Sequence, residues 1–161
     1  MKSTIAIDFK GALPAAPAPD PVIVALSQVL ASSYALSALA QNAHWNTEGP
    51  TFYQLHSAFG SIYESAADSV DEIAERIRQL GHYVTVDLAA FQSAAGFAQL
   101  PAPQPADAWV NALLGAHEKV ISDWKAVEKA PGVSLEEQDL ATNAIQALVK
   151  SAWMLRSTVK A

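Results

Sequence analysis

Between Asn42 and Gly81 the chain reads NAHWNTEGPTFYQLHSAFGSIYESAADSVDEIAERIRQLG. Two histidines, His44 and His56, stand near its start, and two carboxylates four apart, Asp71 and Glu75, near its end. Imidazole with carboxylate is a ligand set suited to first-row transition metals, iron and zinc among them. Spacing constrains how the four can act. If residues 51–80 form one helix, Asp71 lies fifteen residues beyond His56, roughly 22 Å along the axis at 1.5 Å per residue. One ion cannot touch both within a single chain. Either the pairs are unrelated, or a second, antiparallel copy brings its Asp71 and Glu75 to this copy's His44 and His56. The second arrangement predicts a two-fold dimer with a metal site in its seam.

The rest of the chain reads as helices. Asp20-Pro21 is an N-cap followed by proline at the first helical position, and it opens a helix expected to run to about Asn46. Ile23, Leu26 and Leu30 form one apolar stripe on it, and Val22, Val29 and Leu36 another. A helix apolar on two sides is covered on two sides, as in a bundle that also oligomerises. Gly49-Pro50 breaks the chain, and the second helix is expected over about 51–80, with Gly81 as its stop. Asp87–Phe91 reads as a short helix in a long connection, and Pro101–Pro105 as a stiff extended run. A third long helix is expected over about 106–129, with Trp109, Leu113, Val120, Trp124 and Val127 inward. A fourth starts at the capping box Ser134–Glu137. The fold expected is all-α, a four-helix bundle over residues 21–161 with a short extra helix in the crossover between helices 2 and 3. Residues 1–20, with Pro14, Pro17 and Pro19 among alanines, read as an extended, mobile tail.

Composition limits the function classes. Of 161 residues 51% are hydrophobic and only 16% charged, which points to a surface partly covered by other subunits. The net charge is −6 and the pI about 5.0, so general attraction to nucleic acid is not expected. The tail's Lys2 and Lys10 are balanced by Asp8 and Asp20. No cysteine is present, which excludes disulfide and thiol chemistry. The first residues lack the apolar segment of a signal peptide and no apolar run reads as a membrane span, so a cytoplasmic protein is the default expectation.

The set His44-Trp45-Asn46, Leu55-His56, Asp71-x-x-Ala74-Glu75-Arg76 and Leu80-Gly81 resembles the Dps family, the mini-ferritins or DNA-binding proteins from starved cells. The resemblance implies the ferritin-like fold, a twelve-subunit hollow shell, and a ferroxidase centre shared between two subunits. It implies His44, His56, Asp71 and Glu75 as iron ligands and catalytic residues, and hydrogen peroxide as the preferred oxidant. Zinc is expected as a substitute or inhibitor at the same ligands. Stress protection is the implied role. Classical ferritins build their site inside one bundle from E-x-x-H pairs, and this chain has none.

Several neighbouring residues admit a functional and a plainer reading. Glu64, Asp68, Asp71 and Glu75 fall within roughly 60° on one helix face, a cation path or a solvated stripe. Trp45 is a packing residue that by resemblance lies beside the iron. Arg76 is expected to pair with a carboxylate, and His82 and His117 to be solvent-exposed. Glu128, Glu136, Glu137 and Asp139 flank the last turn, as pore residues or plain surface. Many family members carry a carboxylate one turn after the second histidine; here that position is Gly60, which in a helix interior costs about 0.5–1 kcal/mol relative to Ala. Two readings arise: a gap filled by the facing subunit, or a site with one firm ion and a weak second that Gly60→Asp would strengthen. Two rival functions remain. One is a nucleoid-compacting DNA-binding protein with little enzymology, helped only by Lys150, Arg156 and Lys160. The other is a zinc-binding shell without redox chemistry.

Overall fold

Asp20 caps the first helix: its carboxylate accepts from the Val22 amide at 2.9 Å, and Pro21 follows at the first helical position. The computed structural model describes residues 20–159; the expected tail, apart from Asp20, lies outside them, as does Lys160. Five helices follow in order, α1 Pro21–Asn46, α2 Phe52–Gln79, α3 Leu88–Ala95, α4 Ala106–Glu128 and α5 Leu135–Thr158. The described residues contain no strand, and the all-α expectation holds with its extra crossover helix.

The punctuation residues act as their chemistry requires. Gly49 and Gly81 take φ values of 98° and 87°, which residues with a Cβ rarely adopt, and they end the turns after α1 and α2. Ser134 and Glu137 complete the capping box of α5. The crossover lies along α1 through three side-chain amides. Gln28 donates to Ala94 O at 2.8 Å, Asn42 to Leu100 O at 2.7 Å, and Gln99 to Ala35 O at 2.9 Å.

Trp109, Trp124, Phe59, Leu26, Leu36 and Ile73 are fully buried at the centre of the bundle. By length and composition α1 could cross a membrane, against the sequence expectation of no such run. Leu26, Val29, Leu36, Leu39 and Ala43 are nevertheless packed away with residues of α2 and α4, the placement of a core helix.

Two polar residues sit where the sequence reading did not put them. His117 is buried, not solvent-exposed; its Nδ1 donates to Leu113 O at 2.7 Å, and its Nε2 accepts from Ser151 Oγ at 3.0 Å. Burial pushes its pKa below 6.5, the Leu113 hydrogen bond opposing only in part. Glu137 is neither pore nor surface. It is buried and ion-paired to Arg76, whose Nε and Nη2 both reach Glu137 Oε1 while Glu137 Oε2 accepts from the Ser134 amide. This pair ties the C-terminal end of α2 to the start of α5, directly after the turn from α4. The C-terminal ends of α2 and α4 are therefore at the same end of the bundle, and the two helices run parallel, as a long crossover requires.

Burial alone would raise the Glu137 pKa, but hydrogen bonds from Ser134 and Arg76 outweigh it and hold the carboxyl below its ordinary 4.5. The stability Glu137 contributes is therefore whole above pH 4.5 and is lost as pH falls through the lower folded value. Glu137→Ala, which removes the partner of the half-buried Arg76 and the cap on the Ser134 amide, should cost about 1–3 kcal/mol at neutral pH. Glu137→Gln should flatten the acid limb of a pH series of chemical melts, and an unchanged limb would contradict this.

Candidate functional site

His44 lies in the last turn of α1 and His56 in the second turn of α2. The tight turn between these helices sets the two imidazoles face to face, ring centroids 3.7 Å apart and planes 22° from parallel. His44 Nδ1 meets the His56 carbonyl at 2.7 Å, and His56 Nδ1 meets the His44 carbonyl at 2.8 Å. A carbonyl oxygen only accepts, so each Nδ1 carries the proton and donates. In the neutral ring, Nε2 is then an in-plane lone pair with no proton. This is the tautomer a metal ligand needs, fixed by the hydrogen bond at the other nitrogen.

An aromatic column holds the pair. Phe52 stacks on His56 at 5.0 Å, and the Tyr63 and His44 rings pack edge-to-face, centroids 5.4 Å apart and planes at 70°. Neither Phe52 nor Tyr63 stands out as a site residue in the sequence. The signal was present, since Phe52, His56 and Tyr63 recur at helical spacing on one side of α2. Both histidines are half-buried, while Trp45 beside them is 67% exposed and Tyr53 83% exposed.

Asp71 and Glu75 stand on the same helix, exposed, and neither forms a salt bridge among the described residues. Because α2 is one unbroken helix, roughly 22 Å still separates them from His56. No three metal-ligating side chains among the described residues come together within the chain. The structure thus assembles the histidine pair and leaves the carboxylate pair elsewhere. Glu64, Asp68 and Glu72 are exposed as well.

The residues present fit a metal ion in their chemistry: two imidazoles with Nε2 lone pairs, and two carboxylates that form no salt bridge among the described residues. They do not fit the expectation that one ion takes both imidazoles at once. Lone pairs lie in the ring planes, and a ligated ion sits about 2 Å from each nitrogen. Near-parallel rings 3.7 Å apart aim side by side, so one of them would have to leave the stack to share an ion.

The space at Gly60 is taken up within the chain rather than left for a facing subunit. Its neighbour is His44 of the same chain: a Cβ built there would lie 3.3 Å from His44 Cε1 and Nδ1. Gly60→Asp would push on the ring it was meant to assist.

Comparison with known proteins matches this architecture. A family model described as a ferritin-like domain matches residues 23–161. A low-temperature-induced protein of a Nostoc strain is 32% identical over 143 residues, covering 86% of this chain and 80% of that protein. The DNA protection during starvation protein 2 of Bacillus anthracis is 29% identical over 138 residues, covering 84% and 94%. The Dps protein of Vibrio cholerae, described as a member of the ferritin-like diiron-carboxylate superfamily, superposes with a TM-score of 0.80 at 23% identity, covering 86% of this chain and 89% of that one.

The hydrogen bonding makes a prediction independent of metal. Long-range proton–nitrogen spectra of histidine-labelled protein at mildly alkaline pH should show His44 and His56 as Nδ1–H tautomers. Nε2–H signals from either residue would contradict the arrangement.

Proposed function

This chain belongs to the ferritin-like family, within its Dps branch, and from that membership we propose that it is a ferroxidase and iron store whose oxidation site is completed by a second copy of the chain. Iron handling of the ferritin type is the family's general function. The observation that carries the more specific reading is the tautomer-locked pair of His44 on α1 and His56 on α2, with α2 holding Asp71 and Glu75, which form no salt bridge among the described residues, far from it. Fe(II), the substrate, binds where the imidazoles of one subunit meet Asp71 and Glu75 of its mate. The imidazoles give neutral nitrogen donors, one lone pair per ion. The carboxylates offset the charge of the ions and can bridge them.

Two Fe(II) ions each give up one electron. One hydrogen peroxide accepts both together with two protons, its oxygen–oxygen bond breaks, and two waters leave. The Fe(III) produced passes into the interior of the shell as ferric oxide mineral. Removing Fe(II) and peroxide together prevents hydroxyl radical formation, the basis of a protective role in stress. Zinc at the same ligands, having no redox step, acts as an inhibitor.

The bundle over residues 21–161 is the assembling domain and residues 1–20 its tail. A closed homo-oligomer, a dodecamer in the Dps pattern, is supported by apolar surface left bare on the single chain. Val149, Trp153 and Met154 of α5 and Trp45 and Tyr53 beside the histidines are all more than half exposed. A cytoplasmic setting accords with this chemistry.

The shared site is tested by mixing. One variant carries His44→Ala and His56→Ala, the other Asp71→Ala and Glu75→Ala. Each alone should lack ferroxidase activity. Co-assembled in equal amounts, they should recover about a quarter of wild-type activity, since half of the histidine donors meet half of the intact carboxylate donors. No recovery from assembled mixtures would exclude a shared site.

Protection of DNA, which the Bacillus anthracis relative has in its name, would here work through iron chemistry rather than by coating. With a net charge of −6, duplex DNA should show little mobility shift at physiological salt. A tight shift that weakens steeply with added salt would instead favour the nucleoid-binding reading.

A further inference from the structure

Gly60 lies in the interior of α2, one turn after His56, fully buried and with no donor of its own. What its missing side chain leaves is a slot. The His44 ring fills it, with Cε1 and Nδ1 each 3.3 Å from where a Cβ would stand. That is closer than the roughly 3.5–4.0 Å at which carbon atoms rest together. The ring is not free to give way. The His56 ring covers it at 3.7 Å, the Tyr63 ring packs edge-to-face with it at 5.4 Å, and its Nδ1 is tied to the His56 carbonyl at 2.7 Å. Nδ1 is itself one of the two atoms a Cβ would press. Gly96 shows the contrary case: a Cβ there would meet Lys119 Cε at 2.8 Å, the far part of a flexible chain.

We propose that Gly60 is a positioning residue for the metal-binding histidines: by having no side chain it lets His44 lie against α2, stack on His56 and exchange Nδ1–H hydrogen bonds with it, so that both rings present Nε2. The proposal rests on the reading of His44 and His56 as ligands. Glycine is otherwise unsuited to the position, since it weakens a helix interior. The slot gives that weakness a function: the backbone of α2 becomes one wall of the histidine pair. A specificity consequence follows. The family's usual carboxylate at this position would add a donor, whereas this chain exchanges that donor for ring placement. Its histidine half of the site is therefore purely nitrogen.

Gly115 provides the control. It lies within α4, and a Cβ added there would have nothing within 4 Å, so Gly115→Ala changes helix propensity alone. Co(II), followed by its visible absorption, serves as the probe for binding to the assembled protein. Gly60→Ala should weaken Co(II) binding on the order of tenfold, as losing an outer-shell support does, and His44 should no longer be a single Nδ1–H tautomer. Gly115→Ala should change neither. A thermal-melt cycle guards against a variant that folds poorly. Gly60→Ala should lower the melting temperature in the wild-type background and raise it in His44→Ala, where the slot is vacant. Unaltered Co(II) binding with an intact tautomer in Gly60→Ala would overturn the proposal, as would equal destabilisation in both backgrounds. If His44→Ala and His56→Ala also bind Co(II) like wild type, the ligand reading itself fails, an outcome distinct from failure at Gly60 alone.

Discussion

A straight helix cannot fold its own ligands onto one ion, and that constraint governs everything proposed for this chain. α2 carries His56 near its start and Asp71 and Glu75 near its end, as a single run from Phe52 to Gln79. At 1.5 Å per residue the two sets stay roughly 22 Å apart however the loops move. In the proposed dimer each subunit gives imidazoles at one place and carboxylates at another. An antiparallel mate would satisfy both at once, and two-fold symmetry would then produce two equivalent sites.

The surrounding structure keeps each half in readiness. At one end, the turn from α1 to α2, the wall at Gly60 and the flanking Phe52 and Tyr63 hold two rings in a single tautomer. At the other, Arg76, next to Glu75, is fastened to Glu137, and Glu137 in turn caps α5. One buried carboxylate thus closes a helix start and fixes the register of the segment bearing Asp71 and Glu75. Charges buried in this way add little net stability against an apolar replacement, but removing one partner is costly. Placement of α2 against α5 is the plainer explanation for the pair.

Much of the fold was legible in the sequence because its boundaries are marked by residues with strong local chemistry. Asp20-Pro21, Gly49-Pro50, Gly81 and the Ser134–Glu137 box placed the long helices to within a residue or two. The histidine and carboxylate pairs were legible from type and spacing, and the separation between them followed from helix rise. What escaped depended on tertiary neighbours. His117 looks like a surface histidine until Leu113 and Ser151 supply its partners. Glu137 looked like one acid among four. Gly60 looked like a missing ligand, because no local signal says that a ring from the preceding helix lies on it. The length and apolarity of α1 likewise answer to burial in the bundle, which periodicity indicates only in part.

The account stands or falls on where iron sits. Crystals of the assembled protein, loaded anaerobically with Fe(II) and measured at the iron absorption edge, locate it directly. Two peaks of anomalous density are predicted at the two-fold seam, one within bonding distance of His44 Nε2 and the other of His56 Nε2 from one subunit, both beside the carboxylates of Asp71 and Glu75 from its mate. Iron held by the ligands of one chain alone, or absent from His44 and His56 while present elsewhere, would contradict it.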